Sequence, residues 1–483
     1  MPFRILLAAA LTLLPAAAVG QARECELVRA SHARRIATTF SEIWFVSGPA
    51  EFSCTDGTEV RADSAVYNKG AALELIGGVF YADSARTLVA ERATYYLTSQ
   101  RLHAQGDVVL TDRQNNGSVI RGSSLTHERA TPDRPEARTI VTGPPRPHAT
   151  FRPRGAGDAA PSDTAALPFE VDADWMEIRG ENRFTATGNV EITRGETRSG
   201  AHGATFDQAQ ERLVLTHDAW VEQEDLRLQA RTIEAMLSGE ELRAVTAVDE
   251  AHLEGRELMV DAATIRLEFE GGALQRLVAV VPPPALPPGG GDDAAARPRA
   301  LAHARDLRLV ADSIDALAPG QTLREIIAVG EAFAQRQPDS LSAGLPEFIA
   351  NDWVSGDTIQ AYFALEEKAA ASAGAEPSRP DSAAGAARDT ARVVLERLVV
   401  TGAGGRAQAL YRVSRDGRDP GPPAINYTIA DRITLVLSGG EVKEAEATGE
   451  VRGRYLEPQR RSARSAPEPE SPPAQRPPTT GSR

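Results

Sequence analysis

The chain is poor in cysteine and in positive charge, and it has few long apolar runs. Its 483 residues contain two cysteines, and 53 basic residues against 67 acidic ones leave a net charge of −14. This balance argues against sequence-independent nucleic-acid binding, because such binding needs cations that replace the counterions of phosphates. After the first residues, no segment reaches the ~18 apolar residues that a membrane helix needs. We therefore expect no nucleic-acid partner and no transmembrane segment.

Motifs of common catalytic sites are also missing. The sequence has no GxSxG elbow, P-loop, Rossmann glycine pattern or HExxH, and no CxxC or HxxxH spacing. Paired carboxylates hydrolyse glycosides in some enzymes. The acids that recur here repeat with the structural unit described below, in six of its ten copies, which favours a role in a turn or bulge: Asp63, Glu91, Asp174, Asp312, Asp357 and Asp431. We expect a protein without catalytic activity, metal or cofactor.

The first 22 residues predict an export signal. A short basic start precedes the apolar run Ile5–Leu14, and small residues follow it. Glu24 stands before Cys25 where a lipobox needs a small residue, so we expect no lipid anchor. In an oxidising compartment Cys25 and Cys54 favour one disulfide, whereas a metal pair lacks further ligands in the sequence.

One short template recurs at a period of about thirty residues. In each copy an apolar residue, a small residue, an aliphatic residue and an aromatic or aliphatic residue follow one another in steps of two, three and two. Val60, Ala62, Ala65 and Tyr67 form one copy. The small positions of the ten copies are Ala62, Ala90, Gly122, Ala173, Ala201, Ala230, Ala262, Ala311, Gly356 and Ala430.

These steps predict a strand with a kink. A step of two keeps side chains on one face of a strand, and a step of three changes the face unless a bulge intervenes. The small residue before the longer step suits a tight bend. A second strand with a glycine and a β-branched residue follows each copy, as in Gly188-Asn189-Val190. We expect two-strand units that bury their apolar faces by stacking on their neighbours.

Composition divides the chain into the following segments. Residues 1–22 are the signal peptide, 23–54 form an amino-terminal segment with the disulfide, and 55–150 hold the first repeats. A linker spans 151–168, and repeats fill 169–455 with further linkers at 282–299 and 366–391. Residues 456–483 are rich in proline, serine and charge and predict a disordered tail.

The stretch Phe184–Gly195, FTATGNVEITRG, resembles the strand signature of OstA-like proteins. These include the periplasmic lipopolysaccharide-transport proteins LptA and LptC and the amino-terminal domain of LptD. Val60–Tyr67 resembles the family's other strand, and the resemblance covers roughly residues 55–145 and 170–455. The chain departs from the family in its length, its large linkers and residues 23–54.

The resemblance implies an all-β, antiparallel β-jelly roll of the β-taco type in the periplasm, as one roll or two consecutive rolls. It implies lipopolysaccharide or a similar lipid as a partner, and other OstA-like domains that pair with the end strands. The apolar interior would hold acyl chains. We expect lipid to contact residues that the repeat places on the inward face of their strands. These are Val60, Ala65, Tyr67, Leu88, Tyr95, Met176, Ile178, Phe206, Ile233, Ile265, Leu267, Ile314, Ile359, Ile433 and Leu435.

Three alternatives stay open at this stage. In the first, the same inward positions form a filled core without a cavity. A parallel β-helix that binds or cleaves polysaccharide also repeats at tens of residues with inward aliphatic side chains. A polymerising envelope scaffold is the third. Strand polarity separates the antiparallel jelly roll from the β-helix, because a β-helix pairs its strands in parallel.

Overall fold

The computed structural model describes residues 24–114, 117–151, 167–180, 183–238, 241–255, 258–281, 298–304, 307–336, 351–367, 391–413 and 423–457. The expected signal peptide lies outside these ranges, as do most of the three expected linkers and of the tail.

The described residues form thirty β-strands and one 3₁₀ turn at Pro319–Gln321. The strands are β1 (Cys25–Arg29), β2 (His32–Ala37), β3 (Glu42–Cys54), β4 (Glu59–Asn68), β5 (Ala72–Ala82), β6 (Arg86–Tyr96), β7 (Arg101–Asp112), β8 (Ser118–Glu128), β9 (Arg138–Thr142), β10 (His148–Phe151), β11 (Phe169–Asp172), β12 (Trp175–Arg179), β13 (Arg183–Arg194), β14 (Thr197–Asp207), β15 (Arg212–Gln223), β16 (Leu226–Ser238), β17 (Glu241–Glu254), β18 (Leu258–Glu270), β19 (Ala273–Val280), β20 (Ala300–Ala304), β21 (Leu307–Ala311), β22 (Ser313–Leu317), β23 (Glu325–Arg336), β24 (Trp353–Glu367), β25 (Ala391–Thr401), β26 (Ala407–Val413), β27 (Ala424–Ala430), β28 (Arg432–Ser438), β29 (Glu441–Thr448) and β30 (Arg452–Leu456).

The fold is all-β and antiparallel, as expected. The register pairs that join the described strands are antiparallel from β1 with β3 through β28 with β29. The parallel pairing that a β-helix requires is not found among them. No helix in the described residues is long and apolar enough to cross a membrane.

The long strands bend near their middle, at the positions that the repeat predicts. In β4 the pairing with β5 shifts between Arg61 and Ser64, next to the small residue Ala62. The same shift occurs in β6 between Val89 and Arg92. The burial pattern of β4 agrees, because residues 60 and 62 are buried before the shift and residues 65 and 67 after it. A bulge therefore keeps all four positions on one face.

The second strand of each unit bends at two successive residues with positive φ. In β13 these are Gly188 at 81° and Asn189 at 46°, and in β5 they are Gly77 and Gly78. Glycine adopts such angles without the steric cost that a Cβ atom adds. The glycine in the sequence pattern thus marks the bend of the second strand.

The chain divides into two compact units. The first comprises Met1–His303 with Leu317–Gln321, and the second Ala304–Ala316 with Thr322–Arg483. In the first unit, the bends divide the strands into two layers. The halves of β8 show this directly, because β10 pairs with its first half and β9 with its second half.

The two layers of the first unit face each other. Phe52 and Tyr67 come from opposite layers, and their ring centroids are 5.6 Å apart. Phe151 and Phe184 make a similar contact at 4.8 Å. Residues 24–54, which lie outside the OstA-like resemblance, continue both layers, since β1 pairs with the second half of β3 and β2 with its first half. The expected disulfide joins Cys25 in β1 to Cys54 in β3.

The second unit repeats this design. The pairing of β23 with β24 shifts between Val329 and Ala332. The first half of β24 then pairs with β26 and its second half with β25. β27 and β30 extend one layer, and β28 and β29 extend the other.

Residue size follows the geometry of the bend. The inward positions beside the bends are small, as at Ala62, Ala65, Ala90, Ala93 and Ala186, and all five are buried. Larger inward side chains occupy positions further along the strands. We attribute this gradient to the convergence of the two layers at the bend, where only short side chains fit.

Candidate functional site

The candidate site is the apolar interior between the two layers. Among the residues expected to face lipid, all but two are buried there: Val60, Ala65, Tyr67, Leu88, Tyr95, Met176, Ile233, Ile265, Leu267, Ile314, Ile359, Ile433 and Leu435. Ile178 and Phe206 are half-buried. The prediction that these side chains point inward is therefore correct. Each of the two units contains some of these residues, on the inner faces of its own layers.

The ends of the strands in β3–β8 are closed by a polar network, which we call the latch and define as Asp56, Tyr81, Asp83, Tyr95, His127 and Arg129. Arg129, which follows β8, donates to Asp56 in the β3–β4 turn and to Thr58, at 2.9 Å each. Tyr95 donates its hydroxyl proton to the same carboxylate at 2.8 Å. These bonds join the free ends of the two layers.

The latch continues around Asp83 in the β5–β6 turn. Tyr81 donates to Asp83 Oδ2 at 3.1 Å, and the backbone amides of Ala85 and Arg86 donate to Oδ1 at 2.8 Å each. Arg86 in turn lies 3.4 Å from Asp112, with both side chains largely buried. The carboxylates of the latch therefore have charged or hydrogen-bonded partners, as buried ionised groups require.

These contacts shift the ionisation of the latch. Burial opposes the charged form of Asp56, but hydrogen bonds from Thr58 and Tyr95 outweigh it and hold the pKa of Asp56 below its usual value. Burial, followed by the contact with Asp56, raises the pKa of Tyr95 to about 12. The pKa of Asp83 is lowered too, because its backbone hydrogen bonds outweigh the effect of burial. At neutral pH both acids are ionised and the tyrosine is protonated.

His127 is the neutral member of the latch. It is 2% exposed, and its Nε2 lies 3.3 Å from Arg86 while its Nδ1 lies 2.9 Å from the hydroxyl of Thr139. Because arginine only donates, Nε2 accepts and the proton resides on Nδ1. Burial, with a further contribution from the charge of Arg86, lowers the pKa of His127 to about 3.

Sequence reasoning did not find the latch. Tyr95 lies on the inward face, as the repeat predicts, but its hydroxyl group donates a hydrogen bond to Asp56 instead of facing an open groove. Tyr67 likewise accepts a hydrogen bond from the backbone amide of Cys25 at 3.3 Å. The sequence indicates the latch only indirectly. Three inward tyrosines occur in the first repeats, and a buried tyrosine hydroxyl needs a hydrogen-bond partner.

The interior is more open in the later strands of the first unit. We define the slot as six inward side chains of β14–β18 near the strand ends: Phe206, Leu213, Val221, Leu226, Ala235 and Leu258. Each is half-buried except Leu226, which is 37% exposed. In β5 and β6, the positions equivalent to Leu213, Val221 and Phe206 are Leu73, Tyr81 and Tyr95, which are at most 1% exposed. The slot is therefore more accessible to an apolar ligand than the closed strand ends of β4–β7.

The recurring acids lie at the bends and not in the interior. A Cβ atom added to Gly188 would lie 2.5 Å from Asp174 Oδ2. A Cβ atom added to Gly77 or Gly106 would likewise come too close to a carboxylate oxygen of Asp63 or Glu91. Asp312 and Asp431 cover Gly330 and Gly449 in the second unit, whereas Asp357 pairs with Arg406 at 2.7 Å. These acids occupy a repeated structural position beside the bend.

Comparison with known proteins returned no match, either to a family model or to a curated protein. No group of three or more potential metal ligands occurs within the ranges that the structure describes. The functional interpretation therefore depends on the geometry of the interior, the latch, the slot and the free strand edges.

Proposed function

We propose that this chain is a periplasmic, non-catalytic protein that binds a lipid in its interior and bridges membranes in the transport of lipopolysaccharide or a similar lipid. The observation that carries the proposal is the slot, where inward apolar side chains remain half-exposed between two bent antiparallel layers. Shielding acyl chains from water there is favourable by about 0.8 kcal/mol per CH₂ group buried.

The free edges support the bridging part of the proposal. Among the described residues, β1 and β2 pair only with β3, β29 pairs only with β28, and β30 pairs only with β27. All residues of β2 and β30 are exposed. Unpaired edge strands are templates for further strands, so another domain of the same kind would extend both layers.

A photo-crosslinking amino acid at Phe206 tests the lipid-binding part. The matched control is Thr205, its neighbour in β14, which is exposed and points to the opposite face. Irradiated cells that express each variant are probed for lipid adducts. We expect adducts at Phe206 and none at Thr205.

A third probe at Ile233, which is 1% exposed, examines how deep a lipid penetrates. Adducts at Ile233 and Phe206 together would indicate that acyl chains reach the bend. The absence of adducts at both positions, in variants that remain folded by circular dichroism, would contradict the proposal. The interior would then be a filled core, and an envelope scaffold would be the better interpretation.

A further inference from the structure

The second unit has a pocket of about 420 Å³ on the outer face of one layer. The pocket lies across β24, β25, β28 and β29, and Arg397, Arg432 and Glu446 line it. Neighbouring residues of the same strands, such as Leu398 and Ile433, are buried on the inner face. Because side chains alternate along a strand, the pocket faces away from the apolar interior.

The register of the strands brings two arginines to this pocket. Val399 in β25 pairs with Thr434 in β28, and both residues line the pocket. Each arginine lies two residues before its member of this pair. Because the strands are antiparallel, Arg397 and Arg432 approach the pair from opposite ends. Val399 points outward but is only 4% exposed, so the side chains around it cover it and it forms the floor of the pocket.

The charged side chains of the pocket are unpaired within the described residues. Arg397 and Arg432 make no hydrogen bond or ion pair in the part of the chain that the structure describes. Arg397 lies over the ring of Tyr362, with its Cζ 4.3 Å from the ring centroid. Glu446 is the acid of the pocket lining, and it too has no ion pair with a described residue. The pocket therefore holds two cations against one carboxylate, together with the hydroxyl group of Thr434.

This arrangement suits a phosphate group. Guanidinium groups bind phosphate oxygens through parallel hydrogen bonds, and a threonine hydroxyl can donate a further one. The chain carries a net charge of −14, but charges further away than a Debye length of about 8 Å are largely screened at physiological ionic strength. The arginines of the pocket therefore dominate the interaction with an anion that enters it.

We propose that this pocket binds a phosphate group, which Arg397 and Arg432 hold together. The ligand is inorganic phosphate or the phosphomonoester of a larger molecule. This inference goes beyond the proposed lipid binding, because the pocket lies on the opposite face of its layer from the apolar interior.

Isothermal titration calorimetry of the full-length chain tests the inference, with inorganic phosphate, glycerol phosphate and acetate as probes. We expect both phosphates to bind, and acetate to bind at least about tenfold more weakly, because a dianionic phosphate engages both guanidinium groups. Arg397→Gln and Arg432→Gln are each expected to weaken phosphate binding about tenfold or more. Arg454→Gln is the matched control, because it removes an exposed arginine of β30 outside the pocket. It is expected to leave the affinity unchanged.

A second pair of variants tests the sign of the ligand charge. Glu446→Gln removes the carboxylate of the pocket and is expected to strengthen phosphate binding about threefold. Glu444→Gln changes an exposed acid of the same strand outside the pocket, and is expected to have a smaller effect. Weaker phosphate binding by the Glu446 variant would contradict an anionic ligand at this position.

Vesicles distinguish the source of the phosphate. Cosedimentation is measured with phosphatidylcholine vesicles that contain or lack phosphatidic acid, whose head group is also a phosphomonoester. Binding that requires phosphatidic acid and both arginines would assign the pocket to a lipid head group, whereas binding of the soluble phosphates alone would assign it to a free ligand. Either result supports the inference.

Three results would overturn it, in variants that remain folded by circular dichroism. These are no binding of either phosphate, equal affinity for acetate, and phosphate binding that survives both arginine substitutions. None of them bears on lipid in the interior, which the crosslinking experiment at Phe206 tests separately.

Discussion

At single positions, the contact between an acid and a bend glycine has the clearest energetic consequence. Gly188 has a φ of 81°, and a Cβ atom there would also approach Asp174 Oδ2. Asn189, the next residue, donates to the same carboxylate oxygen at 2.8 Å. The acid therefore occupies the space that a side chain at position 188 would need.

We expect Gly188→Ala to lower the free energy of unfolding by roughly 2–3 kcal/mol, since backbone strain and the contact with Asp174 add together. Gly70→Ala is the matched control, because Gly70 has a φ of 77° and no atom within 4 Å of its added Cβ. Its cost is expected to be only about 1–2 kcal/mol from the backbone alone. Denaturant titration of both variants measures the difference, and equal costs would show that the acid does not restrict the bend.

His127 makes stability depend on pH. Its pKa is about 3 in the folded protein, below the ordinary value near 6.5 that applies to the unfolded chain. Between these values the unfolded state binds more protons, so stability falls as pH falls. The slope from this residue is about 1.4 kcal/mol per pH unit.

We expect His127→Gln to reduce this slope between pH 6.5 and 5, a range above the ordinary pKa of aspartate. Glutamine offers an acceptor for Arg86 and a donor for Thr139, so it preserves the contacts of the latch. His32→Gln, at an exposed position of β2, is the control and is expected to leave the slope unchanged. An unaltered slope in the His127 variant would contradict a neutral histidine in the latch.

At the scale of the strand, the bends differ in how they reach positive φ. β5, β13 and β23 use glycine at the first bend position, whereas β15 uses His217 with Asp218 and β17 uses Asp249 with Glu250. The residue facing each bend differs as well. An acid covers the glycine bends, whereas Arg231 lies 3.7 Å from Glu250 and the His202 ring is 6.3 Å from that of His217.

Asp249→Gly is expected to stabilise the protein by up to about 1 kcal/mol, because glycine removes the strain of a φ of 64°. Asp249→Ala removes the same charge but keeps the Cβ atom, so it is expected to give no gain. Thermal unfolding of both variants compares them. A gain with alanine equal to that with glycine would assign the effect to charge and not to the backbone.

For the molecule as a whole, the free edges carry opposite charge. β2 contains His32, Arg34 and Arg35, whereas β29 contains Glu441, Glu444 and Glu446. Arg35 is paired with Glu42 at 2.7 Å, and Lys443 with Glu441 at 3.0 Å. Arg34 and Glu444 are exposed charges that a second copy would meet when the edges pair.

We expect Arg34→Glu and Glu444→Arg each to weaken concentration-dependent association, because each places like charges on facing edges. The double variant Arg34→Glu/Glu444→Arg restores opposite charges and is expected to recover it. Sedimentation velocity over a range of concentrations measures the association. Association that is indifferent to both single variants would argue against pairing of β2 with β29.

The sequence by itself determined the features that depend on local pattern. The steps of two, three and two determine which side chains point inward and where the strand bends, next to Ala62. Strand periodicity and bulges depend on neighbouring residues, so the sequence pattern shows them. The disulfide followed from the presence of only two cysteines, Cys25 and Cys54. The repetition of the acids predicted a role in a turn or bulge, and the structure places five of the six beside a bend glycine.

Only the tertiary structure decided where the interior is closed and where it is open. Tyr95 lies 39 residues from Asp56 and Arg129 lies 73 residues from it, so no repeat relates these partners. They meet because the bends bring the ends of both layers together. The half-exposure of Phe206 and Leu226 has the same origin, because the accessibility of an inward residue depends on the separation of the layers and not on its own strand.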